Sequence, residues 1–316
     1  MFGRIFNGLV VVFWMIAMTW LLTEKVIPPM LGGDPPDYQS VLEPAAHEKL
    51  PDAWKLRWKE RTVGFAASRV EARPNGELDR LSFVEFEELP LEAILSEMLG
   101  PVAAIVKPLI QNNRGLDLDM LVATRMTFDV DRRLSRFETN IDLGDFRDFL
   151  RLKGTVQEDG KLDIVAQLSS GNFGSGQTFK RSVQLPPEAL VEGALSPRPE
   201  LKDLYIGQKW TIPVFRSFPP NSPVQILQAE VEKHEDIMWG TDYVETKLVV
   251  YRTEAGSGVQ ATRAPISREW VRKDGAVLRQ QVRFSGLELT FEREAQGSID
   301  PRIDKLNELQ RRLWSI

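Results

Sequence analysis

Between Trp54 and Phe291 the chain returns repeatedly to one pattern, apolar residues at every second position broken by short polar turns. Trp54-Lys-Leu56-Arg-Trp58 puts three large apolar groups on one side of an extended chain and basic residues on the other. Side chains alternate faces only in a strand, so this period commits the body to sheet rather than helix. Similar segments follow at Thr62–Val70, Leu81–Phe86, Met126–Val130, Leu134–Thr139, Leu152–Val156, Leu162–Leu168 and Phe179–Leu185. They resume at Gly207–Phe215, Val224–Val231, Tyr243–Tyr251, Arg268–Val271, Val277–Phe284 and Leu287–Phe291. Asn75-Gly76 and Asp274-Gly275 read as turns between strands. The expectation is a mainly β (α+β) chain, with curved antiparallel sheet packing on one or two helices. The sheet is either continuous or split into half-barrel-like lobes over 51–190 and 196–300, with the four-proline stretch 186–200 as the boundary.

Helical spacing occurs in two places in this body. In 91–112, Leu91, Ile94, Leu95, Met98 and Leu99 form an apolar stripe, and Gly100-Pro101 should break it. It fits a helix packed on the sheet or a hairpin dipping into a membrane. In the tail 301–316, Ile303, Leu306, Leu309, Leu313 and Ile316 share one face. That tail could dock on its own sheet, on a partner helix or on a membrane surface.

The N-terminus differs from everything after it. Ile5 to Leu22 carries no charge, and eighteen residues of helix span roughly 27 Å, about the thickness of a hydrocarbon core. The run exceeds the 7–15 residues usual for a signal peptide, and Ala17-Met18-Thr19 makes a poor cleavage site, so an uncleaved anchor over 1–25 is expected. Arg4 and the α-amine precede the run, while Glu24 and Lys25 nearly cancel, which predicts a cytoplasmic N-terminus and an exported body. Residues 26–50 then read as a Pro/Gly-rich spacer followed by a short helix, with a capping-box spacing at Ser40-Val-Leu-Glu43.

Composition narrows the chemistry. There is no Cys, and His47 and His234 are the only histidines, so thiol nucleophiles, thiolate metal sites and three-imidazole sites are excluded. With 40 Lys+Arg against 45 Asp+Glu, nucleic acid is not an expected partner. No nucleophile elbow is present, and neither histidine belongs to H-E-x-x-H. His234-Glu235-Asp236 reads as a solvated turn, and Gly171–Gly176 as a hairpin loop rather than a phosphate cradle. Asp117, Asp119, Asp129 and Asp131 lack the spacing of a calcium loop, and Glu85, Glu87 and Glu88 read as solvated carboxylates. No catalytic, cofactor-binding or metal-binding residue is assigned, and no cofactor is expected. The remaining candidates are aromatic: Trp54, Trp58, Trp210, Trp239 and Trp270, all in or beside strands, could line an apolar groove or simply fill the core.

Several stretches resemble known exported bacterial β domains of unknown function. Gly207-Gln-Lys-Trp210, Val231-Glu-Lys-His-Glu235, Trp239-Gly240 and Trp270-Val-Arg-Lys-Asp274-Gly275 resemble the half-barrels related to lipoprotein carriers of the LolA type. Trp54-Lys-Leu-Arg-Trp58 with Val63-Gly64 is similar to the non-catalytic β domains beside transglutaminase-like domains. The first resemblance implies a curved sheet wrapping a helix around an apolar concave face. The second carries no catalysis, because the transglutaminase Cys is missing. Together these readings predict a membrane-anchored, non-enzymatic envelope protein whose body binds a partner protein or an apolar ligand. A lipid or lipoprotein carrier is the alternative, and a hydrolase with an unrecognised site a third.

Overall fold

The structure, a computed structural model, describes residues 2–21, 35–36, 38, 42, 52–87, 119–169, 177–186, 188–193, 196–217, 224–253, 264–284, 287–295 and 300–314. The helix expected over 91–112, the loop 171–176 and His47 lie outside the described residues.

The first half contributes β1 (Asp52–Trp58), β2 (Arg61–Ala72), β3 (Leu78–Phe86), β4 (Met120–Phe128), β5 (Leu134–Leu143), β6 (Phe146–Val156), β7 (Lys161–Leu168) and β8 (Gln177–Gln184). The second contributes β9 (Leu190–Glu192), β10 (Lys209–Arg216), β11 (Gln225–Trp239), β12 (Asp242–Thr253), β13 (Ser267–Arg272), β14 (Val277–Phe284) and β15 (Leu287–Arg293). Helix α1 (Phe2–Leu21) precedes the strands and α2 (Asp300–Trp314) follows them.

All fifteen strands form one sheet, ordered β8-β7-β6-β5-β4-β3-β2-β1-β15-β14-β13-β12-β11-β10-β9. Two antiparallel meanders therefore meet where the first strand pairs the last, Leu56 opposite Phe291. The two expected lobes share this single sheet. Among the described strands, only the β9–β10 pair is parallel.

The sheet rolls up. Between β5 and β10 lie nine other strands, about 48 Å along the sheet at roughly 4.8 Å per strand. Yet the rings of Phe137 on β5 and Phe215 on β10 are 6.2 Å apart. The inner face holds the main core, which includes Trp54, Leu56, Val84, Phe86, Leu152, Val249 and Phe291. Gly154 permits the close packing there, because a Cβ at this position would overlap the Phe137 ring. The edges are guarded differently. β9 is three residues long, and β8 is exposed and carries Lys180 and Arg181, both devices that discourage further strand pairing.

Outside the roll, α2 lays Leu306, Leu309 and Trp314 over Ala67, Leu81, Phe83 and Ala123. Arg69 donates to Asn307 Oδ1 at 3.0 Å and Gln310 Oε1 at 2.7 Å, and Arg312 pairs Asp142 at 2.6 Å. Of the three roles open to the tail, it takes the first and docks on its own sheet. Lys305 reaches Glu85 at 3.2 Å, so that carboxylate serves the same contact.

Three expectations change. Pro36 and Leu42 are buried, and Tyr38 and Leu42 pack with the main core, so part of the expected spacer is a packed element. His234-Glu235-Asp236 is not a turn but lies within β11, opposite Lys247, Thr246 and Glu245, and the chain reverses later, at Gly240 and Thr241. A wet strand face and a turn look alike in composition, and register with β12 decides between them. Finally, among the described residues no helix is long and apolar enough to cross a membrane. α1 is helical over 20 residues with Phe13 and Ile16 exposed, and the fold does not establish the anchor expected at its position.

Candidate functional site

The connection between the meanders crosses the inner face instead of skirting the surface. Leu201 N–H donates to Gly275 O at 2.7 Å and Val277 N–H to Pro199 O at 2.9 Å. Side chains hold the same strap. Arg80 Nη2 on β3 donates to Pro197 O at 3.2 Å, and Arg293 Nη1 on β15 to Pro199 O at 2.9 Å. The Arg198 N–H donates to Gln280 Oε1 at 3.0 Å.

This route carries Arg198 into the core. Its Nη1 donates to Tyr251 Oη at 2.6 Å and to both Glu269 oxygens at 3.1 Å, and its Nη2 to Glu192 Oε1 at 2.6 Å. Arg216 Nε donates to the other Glu192 oxygen at 3.2 Å. Tyr251 Oη donates to Glu269 Oε2 at 3.1 Å, and Trp210 Nε1 to Tyr38 Oη at 2.6 Å. The guanidinium of Arg198 stacks over the rings of Tyr38 and Tyr251 at 5.1 and 5.3 Å.

Buried charges survive only when paired and hydrogen-bonded. Burial raises the Glu269 carboxyl above its ordinary value despite Arg198 beside it. At Glu192 burial pushes the same way, but Arg216 and Arg198 together hold it below. Burial would lower Arg198, yet Glu269, Tyr251 and Glu192 keep it well above its ordinary value. Burial pushes Tyr38 up to about 12 and Tyr251 well up. At neutral pH both phenols are therefore neutral hydrogen-bonding groups.

Beside this cluster a cavity of about 610 Å³ opens at one end of the roll. Its mouth is formed by the β4–β5 turn at 129–133, the β6–β7 turn at 157–160 and the β8–β9 link. Leu42, Phe128, Leu134, Val156, Leu190 and Ile212 supply apolar wall, and Arg80, Glu192 and Arg198 reach it from the polar cluster. Its volume lies within the range usual for small-molecule sites, roughly 300–1,000 Å³.

The five tryptophans do not converge on this cavity. Trp54, Trp58 and Trp210 face the main core. Trp239 and Trp270 belong to a separate outer cluster with Ile237, Leu248 and Leu278. Strand parity explains the split: Trp270 is out of phase with Ser267, Glu269 and Val271. Trp210 meets the polar cluster, donating to Tyr38 and packing edge-on against Tyr251 with ring centroids 6.3 Å apart.

None of Arg80, Glu192, Arg198, Tyr251 and Glu269 was marked by a motif. Their signal is a polar group at an apolar phase, as in Leu78-Asp-Arg80-Leu-Ser82-Phe-Val84, where Arg80 falls on the inward row. Among the described residues no group of three or more His, Asp or Glu side chains could hold a metal ion. Asp129 instead caps its own turn, accepting from the N–H groups of Asp131 and Arg133 at 2.9 and 2.8 Å.

No known protein family and no curated protein matches the chain. Among solved structures it is similar to a β-barrel-like protein of the domain of unknown function DUF1849 from Brucella abortus. That likeness has 11% identity and a TM-score of 0.39, covering 79% of this chain and 98% of the other. It is also similar to a DUF1089 family protein from Pseudomonas aeruginosa, at 12% identity and a TM-score of 0.34, covering 70% of this chain and 90% of that one.

Proposed function

We propose that this chain is a membrane-anchored, non-enzymatic cell-envelope protein whose exported β body holds an apolar ligand at the open end of its rolled sheet. The observation that carries the reading is the 610 Å³ cavity with its aliphatic and aromatic wall. A ligand is favoured over a protein partner because this surface is concave and lined from several strands. The carrier alternative shares the same site, with the ligand a lipid or an acyl chain as in the LolA-type half-barrels that the sequence resembles.

Catalysis has less support. Glu192 and Glu269 come together, and Glu269 is raised, as a general acid would be. However, both bond the same guanidinium, and Tyr251 takes a Glu269 oxygen as well. Such a cluster holds a strap in place. Support for the anchor comes from the charge-free run and from the exposed apolar side chains of α1.

Native mass spectrometry of the full chain from an exporting bacterial host, released from detergent, tests the ligand. A bound lipid-sized mass that disappears in Ile212→Trp is expected; a bare chain would sink the reading. Carbonate washing of membranes tests the anchor, and recovery of the full-length chain in the soluble fraction would remove it. A reporter fused at residue 316 that works only in the cytoplasm would reverse the orientation.

A further inference from the structure

We infer that the cavity selects an amphiphile with a single acidic head, which Arg80 grips with help from Ser196 while the apolar tail lies along the wall. This rests on the ligand-binding reading above and names the ligand class.

The inner-face arginines are not equivalent. Arg198 bonds Glu192 and Glu269, Arg216 bonds Glu192, and Arg293 pairs Asp52. Arg80 makes no ion pair or hydrogen bond to a carboxylate among the described residues, and Asp52 and Glu192 act on it only from a distance. Among the described residues its hydrogen bond goes to the Pro197 carbonyl, a single neutral acceptor for a group with five N–H donors. Four guanidiniums thus share three carboxylates on this face, and the unmatched one lines the cavity. Burial and neighbouring Arg198 push Arg80 downward, with only partial relief from Asp52 and Glu192. A ligand anion would relieve that imbalance.

The residue next to Pro197 adds a second donor. Ser196 also lines the cavity, and its hydroxyl is buried without a hydrogen-bond partner among the described residues. At the mouth, Arg132 has a buried Nη1 in the same state. Native interiors seldom leave such donors unmet unless something else meets them. The guanidinium fork suits a carboxylate or phosphate oxygen pair.

Position sets the orientation. Arg80 pairs with Met126, one inward rung deeper than the Leu78–Phe128 pair. The head therefore lies inside, and Phe128, Leu134, Val156 and Leu190 are left for the tail. The acids at the mouth, Glu158, Asp159 and Glu188, are solvent-exposed. They outnumber Arg132 and Arg133 there, which weighs against polyanions and leaves a head with one acidic group the better fit.

The test is calorimetric titration of the full chain in a non-ionic detergent with dodecanoic acid, dodecanol, dodecyl phosphate, acetate and inorganic phosphate. Expected is binding of the two acidic amphiphiles at least about tenfold tighter than the alcohol, with neither small anion competing. Arg80→Met should bring both acids down to the affinity of the alcohol, and a circular dichroism spectrum matching that of the wild type shows that the variant is folded. Arg80→Lys should restore part of the preference, and Ser196→Ala should weaken it a few-fold. Equal affinity for acid and alcohol, or a preference surviving Arg80→Met, overturns the inference but leaves an apolar site. Competition by acetate or inorganic phosphate at similar affinity replaces the amphiphile by a free anion. Binding of none of the five ligands overturns the ligand-binding reading as well.

Discussion

Replacing Arg198 with Met keeps most of the side-chain volume and removes the charge that bridges two buried carboxylates. Glu192 keeps Arg216 at 3.2 Å, so it stays compensated. Glu269, 1% exposed, keeps only the Tyr251 hydroxyl at 3.1 Å. A carboxylate stranded this way escapes by folding protonated. With an ordinary value of 4.5, protonation at pH 7 costs at most about 3.4 kcal/mol, since each pH unit is worth about 1.36 kcal/mol. This agrees with the roughly 3–5 kcal/mol expected on breaking a buried pair. The sign follows from the direction of the shift. Arg198 lowers Glu269 against the burial that raises it, so removing Arg198 raises the folded value further. The added penalty is absent below the ordinary value and grows as pH rises toward the variant's folded one. The deficit of Arg198→Met should therefore shrink to about 1 kcal/mol at pH 5. Guanidinium denaturation of variant and wild type at pH 5, 6, 7 and 8, followed by tryptophan fluorescence, measures it. Adding Glu269→Gln should flatten the pH dependence. A deficit that stays constant from pH 5 to 8, or no deficit at all, would refute the account of this cluster.

Three further outcomes are expected. Gly154→Ala should lower stability by about 1–3 kcal/mol through overlap with Phe137, and Phe137→Leu in the same chain should recover part of it; additive losses would show that the ring is not the cause. Tyr38→Phe should cost about 1–3 kcal/mol in urea melts by leaving the Trp210 indole N–H without its acceptor, whereas a free spacer would tolerate the change at no cost. Leu309→Ala, at a fully buried contact of α2 with the outer face, should cost about 2–5 kcal/mol and speed tryptic cleavage at Arg311 and Arg312. Unchanged cleavage would mean that the helix holds by its polar contacts alone.

Local pattern determined much of this protein. The alternation at Trp54-Lys-Leu56-Arg-Trp58 and its successors touched every strand longer than three residues, because the period of two is a property of the backbone itself, but it caught only the end of β4 and the first half of β11. The helical spacing of Leu306, Leu309 and Leu313 likewise sufficed for α2, and the charge-free run from Ile5 for a helix at the N-terminus. Tertiary structure decided what no local window contains. Periodicity is blind to which strand pairs which, so one sheet joined by β1 against β15 could not be told from two lobes. It also cannot say which of two faces is concave, and that choice separated Trp210 from Trp239 and Trp270. The candidate site lay furthest from view. Arg80, Glu192, Arg198 and Glu269 are spread over almost two hundred residues, each ordinary in its own segment. Rolling the sheet and threading Pro197-Arg198-Pro199 across it brings them together beside one cavity, which Arg80, Glu192 and Arg198 line, and there desolvation turns common charges into a constraint on what can bind.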